Sequence, residues 1–128
     1  MTTLHVYLSY RDAPAGIGWL EAIGFETVAR QDAADGGVAH AELRLGDAVV
    51  MLAGADADYV LPPLVGRSTG GGAYLVVDDV AKLHDAAVAA GGRSVIAPET
   101  TEWGSARARV LDPEGHEWSF GTYAPGGG

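Results

Sequence analysis

The side chains here able to do chemistry are the imidazoles of His5 and His40, the carboxylates of Glu42 and Glu117, and the rings of Tyr7, Tyr74 and Trp103. Glu117 opens the run Glu117-Trp118-Ser119-Phe120, in which polar and aromatic residues alternate at period two. A strand there sets Glu117 and Ser119 on one face and Trp118 and Phe120 on the other. A carboxylate on such a face acts as a general base once desolvation raises its proton affinity. His5, with His40 or Glu42, offers the donors a divalent ion takes up. Arg107 and Arg109 recur at strand spacing and either meet a ligand or pair with Glu42 or Glu117, since buried charges need partners. Tyr74 and Trp103 are the stacking candidates. His84 and His116 fall on a helix and in a turn, and both are expected at the surface. No Ser/His/Asp nucleophile arrangement stands out. The run Gly70-Gly71-Gly72 precedes a strand rather than a helix, so it is no phosphate-cradling loop.

Composition limits what these residues can serve. The chain has 128 residues, 48% of them hydrophobic and 20% charged, which fits a folded domain with a core of its own. A formal net charge of −9 argues against nucleic acid, whose phosphates want a basic face. It favours cationic ligands, or it serves solubility alone. The absence of cysteine excludes disulfides, thiolate metal sites and a cysteine nucleophile. No apolar run is long enough for a membrane span and no signal peptide opens the chain, so a cytoplasmic protein is expected.

The elements that must position these residues come in two similar sets. Residues 4–10 alternate as a half-buried strand. Asp12 can cap a helix that begins at Ala13 and ends at Gly24, with Ile17, Leu20 and Ile23 at helical spacing and Trp19 beside them. Gly16 and Gly18 weaken that helix, so tertiary packing must hold it. Strands follow at 25–31, 38–45 and 48–53, with a turn at Gly46-Asp47. Residues 54–71 read as a loop around Pro62-Pro63. The pattern then restarts: a strand from Ala73 to Val77, then a helix capped by Asp78 or Asp79. That helix carries Val80, Leu83, Ala87 and Ala90 on one stripe and ends at Gly91-Gly92. Strands are expected at 94–97 and 104–111, with a loop at 98–103. Asp112-Pro113-Glu114-Gly115 forms a turn, because Pro113 presets φ and Gly115 closes it without steric cost.

An internal repeat connects the two sets. Tyr7-Leu8, Asp12 and Gly24 match Tyr74-Leu75, Asp79 and Gly91 at an offset of 67. Met51 and Leu52 match Ser119 and Phe120 at an offset of 68. Two copies of βαβββ in one short chain is a specific arrangement. With the repeats in register, Leu4-His5-Val6-Tyr7-Leu8 through Asp12, the unit ending at Gly24-Phe25, residues 76–92 and Asp112-Pro113-Glu114-Gly115-His116-Glu117-Trp118 resemble the vicinal oxygen chelate superfamily. This is the glyoxalase I, bleomycin-resistance and extradiol-dioxygenase group.

The resemblance implies an α+β fold in which two βαβββ modules form a curved eight-stranded sheet around a cavity. It implies one glyoxalase-like domain over residues 1–128, with module 1 at 1–54, a linker at 55–71 and module 2 at 72–128. It also implies pairing as a homodimer. The superfamily's four metal positions fall on His5, Met51, Gly72 and Ser119, of which only His5 is a good ligand. No cofactor is therefore expected. If His5 faces the cavity, so do Tyr7, Ser9, Val49, Met51, Tyr74, Val76, Glu117 and Ser119. The opposite faces, Leu4-Val6-Leu8, Val50-Leu52, Leu75-Val77 and Trp118-Phe120, are apolar and suit packing under helices. The ligand-contact set is then His5, Tyr7, His40, Glu42, Met51, Tyr74, Trp103, Arg107 and Ser119. The function expected is a metal-free binder that sequesters a drug or metabolite, as in antibiotic resistance. The competing reading is a lyase, isomerase or dioxygenase of this superfamily, using a divalent metal at His5 or Glu117 as a metal-free base. A third is a protein whose ligand only stabilises it or signals.

Overall fold

A computed structural model describes residues 1–54 and 69–126. The chain divides into two compact units, Met1–Leu61 and Pro62–Gly128, and each contains one βαβββ set. The expected linker around Pro62-Pro63 lies outside the described residues.

Module 1 runs β1 Val6–Tyr10, α1 Ala13–Ala22, β2 Glu26–Asp32, β3 Val38–Leu45 and β4 Ala48–Gly54. Its strands form a four-stranded sheet in the order β1-β4-β3-β2, with β1 parallel to β4 and the other pairs antiparallel. Module 2 runs β5 Ala73–Val76, α2 Val80–Ala89, β6 Arg93–Thr100, β7 Ala106–Leu111 and β8 Glu117–Gly121. Its sheet follows the same rule, β5-β8-β7-β6. The backbone ladders thus close as two four-stranded sheets, one per module.

The repeat holds down to single atoms. Asp12 and Asp79 cap their helices with nearly identical backbones, at φ −119° and −116°, and each side chain accepts an N–H three residues on at 3.1 Å. Gly24 and Gly91 leave the helices at φ 117° and 109°, a region only glycine enters freely. The β2–β3 and β6–β7 hairpins also match. Ala33 N–H donates to Gly37 O and Thr101 N–H to Ser105 O, and the third residue after each start, Gly36 or Gly104, has positive φ.

Alternation sorts the sheet faces as expected. Val50, Leu52, Leu75, Trp118 and Phe120 are buried, while Tyr7, Met51, Tyr74, Val76 and Ser119 are exposed or half-buried. α1 packs on β1 to β4, and α2 on β6, β7 and β8. Trp118 is fully buried, and a ring of this size removes roughly 200 Å² from water, up to about 5 kcal/mol.

Several expectations need correction. Leu4 is 93% exposed rather than packed, because the ladder to β4 begins at Val6. β6 continues through Pro98 to Thr100, where a loop was expected; it is an edge strand, so a residue lacking N–H is tolerated there. β7 correspondingly starts at Ala106 rather than Gly104. Strict alternation along β3 would bury Ala39 with Ala41 and Leu43, but Ala39 is exposed, and a register shift between Gln31 and Asp32 falls beside it. On α2 the buried stripe is Val80, His84 and Ala87, with Leu83 half-buried and Ala90 exposed.

His84 is thus a core residue, not a surface one. One ring nitrogen meets Ser94 Oγ at 2.7 Å and the other Asp85 Oδ1 at 2.9 Å. No spacing in the sequence points to this Ser–His–Asp line. It lies under α2, on the side of the sheet away from Tyr74, and ties the helix to the edge strand. His84→Ala should lower stability by about 1–2 kcal/mol in urea denaturation, from the lost packing and hydrogen bond.

The two helical glycines differ in purpose. A Cβ on Gly16 would stand 2.9 Å from Tyr10 Cδ1, so the buried Tyr10 ring needs that glycine. A Cβ on Gly18 would meet nothing within 4 Å. Gly18→Ala should therefore raise stability by about 0.5–1 kcal/mol, read as a shifted urea midpoint with unchanged slope.

Candidate functional site

On module 2 the face opposite α2 carries three of the residues singled out from sequence. Tyr74, Trp103 and Arg107 line one pocket of about 490 Å³, together with Tyr123, Thr101 and Ser105. That volume lies within the range of small-molecule sites. Each wall has a local cause. Tyr74 projects from β5, and its hydroxyl donates to Tyr123 O at 2.7 Å. Its ring lies across Gly121: a Cβ there would collide with the Tyr74 hydroxyl and stand 2.8 Å from Cζ. Trp103 sits at the tip of the β6–β7 hairpin, closed by Thr101 Oγ1 and Ser105 Oγ at 2.7 Å, and is 86% exposed. Arg107 Nε donates to Glu99 Oε1 at 2.6 Å, which fixes it on the pocket wall. Both side chains are about half exposed, so this pair orients more than it stabilises.

Sequence reasoning missed Tyr123 and Gly121 as parts of this wall. Tyr123 continues the alternation beyond Gly121, where β8 ends, and only the Tyr74 hydroxyl shows what it does.

The remaining candidates sit elsewhere. On module 1, Tyr7 pairs in register with Met51, and Met51 with Glu42, so the three lie side by side across β1, β4 and β3. His40 Nε2 and Glu42 Oε2 are 2.8 Å apart, each side chain 40% exposed. His5 is exposed, with Nδ1 3.3 Å from Val49 O and Nε2 3.2 Å from Thr3 Oγ1. None of these five lines the Tyr74–Trp103 pocket. Glu117, the base candidate, is half-buried and does not line it either.

A wider notch of about 830 Å³ on module 1 lies between Arg11, Pro14, Asp35 and Gly54. Module 2 repeats it at about 310 Å³ between Asp79, Pro98 and Thr100. A notch at the helix start of both modules belongs to the βαβββ architecture, and neither copy holds a residue singled out for chemistry. The aromatic pocket belongs to module 2 residues alone.

A family model described as the Glyoxalase/Bleomycin resistance protein/Dioxygenase superfamily matches residues 2–120. The chain belongs to that superfamily. TioX from Micromonospora sp. ML1 is 30% identical, with 98% of each chain covered and a TM-score of 0.74. A bleomycin resistance determinant encoded on the transposon Tn5 is 22% identical, over 98% of this chain and 100% of that one, at a TM-score of 0.65. A bleomycin-binding protein solved with bleomycin is 23% identical, over 97% and 100%, at 0.63. These last two are likenesses of fold. No protein of curated function matches the sequence.

The superfamily's metal positions can be tested against the residues present. Gly72 has no side chain, and a Cβ there would stand 2.8 Å from Glu117 Oε2 and 3.0 Å from Glu117 O. The space a ligand side chain would need is taken. Ser119 Oγ accepts from Arg109 Nε at 2.9 Å, which puts a fixed cation where a metal ion would need an anion or a neutral donor. Among the described residues no three His, Asp or Glu side chains gather as a metal would require. Positions 72 and 119 thus present no free donor side chain to an ion in this structure.

Proposed function

We propose that this protein is a metal-free binder that sequesters a planar aromatic small molecule, in the manner of the superfamily's drug-binding members. The observation that carries the reading is the gathering of Tyr74, Trp103 and Tyr123 around one pocket on the helix-free face of module 2. Offset stacking on such rings is worth about 0.5–1.5 kcal/mol per pair beyond the area buried. Tyr74 is held by its hydroxyl, so its ring loses little freedom on binding. Trp103, by contrast, is positioned to fold over a bound ring.

That a bleomycin-binding protein of similar fold was solved with bleomycin supports a drug or metabolite as the class of ligand. Binding by sequestration would act without turnover, in keeping with a base candidate, Glu117, that stands outside the pocket wall. A soluble homodimer in the cytoplasm is the state in which we expect it to work.

Fluorescence supplies the test. Trp19 and Trp118 are buried while Trp103 is exposed, so quenching of the solvent-exposed emission reports on the pocket. Titration with a panel of planar aromatic natural products, bleomycin among them, should give saturable quenching for at least one compound. Expression of the protein in a sensitive host should raise tolerance to that compound. A panel that quenches only linearly would count against the reading.

A further inference from the structure

Charge on the helix-free face of module 2 is unbalanced at Arg109. It is half-buried, and its Nε donates to Ser119 Oγ at 2.9 Å. Among the described residues Arg109 makes no ion pair, whereas its neighbour Arg107 is held by Glu99. The nearest carboxylate along β8, Glu117, leans the other way. Its Oε2 sits against Gly72, just before β5, and β8 separates β5 from β7. A half-buried guanidinium without a counter-charge among the described residues gives up hydration that the one bond to Ser119 returns only in part.

With Nε–H committed to Ser119, the two terminal amino groups of Arg109 stay free to form a fork for two oxygens. Ser119 accepts from Arg109 and so keeps its own hydroxyl hydrogen to donate. Tyr74, Ser119 and Arg109 stand in one register row across β5, β8 and β7. Arg109 lies two residues from the pocket-lining Arg107, about 7 Å along the strand on the same face.

We infer that Arg109 and Ser119 form an oxyanion subsite for a carboxylate carried by the aromatic ligand. This rests on the proposed aromatic pocket and names its ligand class: an aromatic acid whose acidic group lies about 7 Å from the ring-binding walls. The formal net charge of −9 does not oppose it. Surface carboxylates more than a Debye length away, roughly 8–10 Å, are screened, and the fixed guanidinium decides the local field. In the repeat, Glu42 occupies the place of Arg109 and pairs in register with Met51, so this feature is peculiar to module 2.

The test compares 2-naphthoate with 2-naphthamide, at matched ionic strength, by quenching of Trp103. Wild type should bind the acid roughly tenfold more tightly or better, as a charge-assisted fork implies. Arg109→Gln, which keeps a donor for Ser119, should abolish that preference and leave affinity for the amide within about twofold. Equal binding of the two compounds by wild type, or a preference that survives in Arg109→Gln, would overturn the subsite while leaving the aromatic pocket standing. Should neither compound bind, the subsite is judged on its own by the Arg109 Nε–H resonance under acetate against equal chloride. A saturable shift that is lost in Ser119→Ala would support the subsite, and an unmoved resonance would overturn it.

Discussion

Asp112→Ala should lower the unfolding free energy by about 2–4 kcal/mol, a large share of a small domain's stability. Asp112 is buried, and its carboxylate organises the β7–β8 turn. Oδ1 accepts the backbone N–H of Glu114 and of His116, each at 3.0 Å, and Oδ2 accepts the Trp118 indole N–H at 3.3 Å. The turn amides can reach water once the carboxylate is gone. The indole N–H cannot, because Trp118 is fully buried. Asp112→Asn should recover the turn bonds but face an amide N–H toward the indole, giving an intermediate loss. Urea unfolding with an unchanged slope would measure both. A loss below about 0.5 kcal/mol for the alanine variant would mean the turn does not depend on this carboxylate.

Trp103→Ala should weaken an aromatic ligand by roughly 30-fold or more, the scale of an interface hot spot, with stability unchanged because the side chain is mostly exposed. Tyr74→Ala should weaken the same ligand similarly, since it removes the opposite wall and the bond to Tyr123 O. The two rings are expected to act together, so their losses should not add. Lys82→Ala, on the exposed side of α2, serves as the neutral comparison. His84 does not, because its burial would confuse a folding defect with a binding one. Equal affinities across these variants would mean that the ligand binds elsewhere.

Local rules made much of this fold legible. Asp12 and Asp79 announce helix starts through a hydrogen bond three residues away, and Gly24 and Gly91 announce helix ends by a backbone few other residues adopt. Period-two alternation separated Val50 and Leu52 from Met51, and Trp118 and Phe120 from Ser119, before any partner was known. The failures involve partners distant in sequence. A histidine on a helix reads as polar and therefore exposed, yet Ser94 on the neighbouring edge strand satisfies His84 and lets it enter the core. Pro98 reads as a break, and only the strand order, which leaves β6 at an edge, makes it compatible with a strand.

The candidate site was partly legible for the same reason. Tyr74, Trp103 and Arg107 were singled out as an aromatic pair and a strand cation, and they meet in one pocket. That Ser119 would be tied to Arg109 was hidden, because the register of β7 against β8 sets that contact. The clash between a side chain at position 72 and Glu117 was hidden as well.

Aromatic binding is expected to need no metal. It is tested most directly by titrating one quenching aromatic compound into chelator-treated protein, then repeating the titration with Zn²⁺, Ni²⁺, Mn²⁺ or Fe²⁺ restored, in wild type and His5→Ala. The expected result is one affinity throughout, insensitive to chelation, to added ions and to the substitution. Binding that vanishes on chelation, returns with a divalent ion and is lost in His5→Ala would contradict the claim. It would restore a metal-dependent lyase, isomerase or dioxygenase as the better reading.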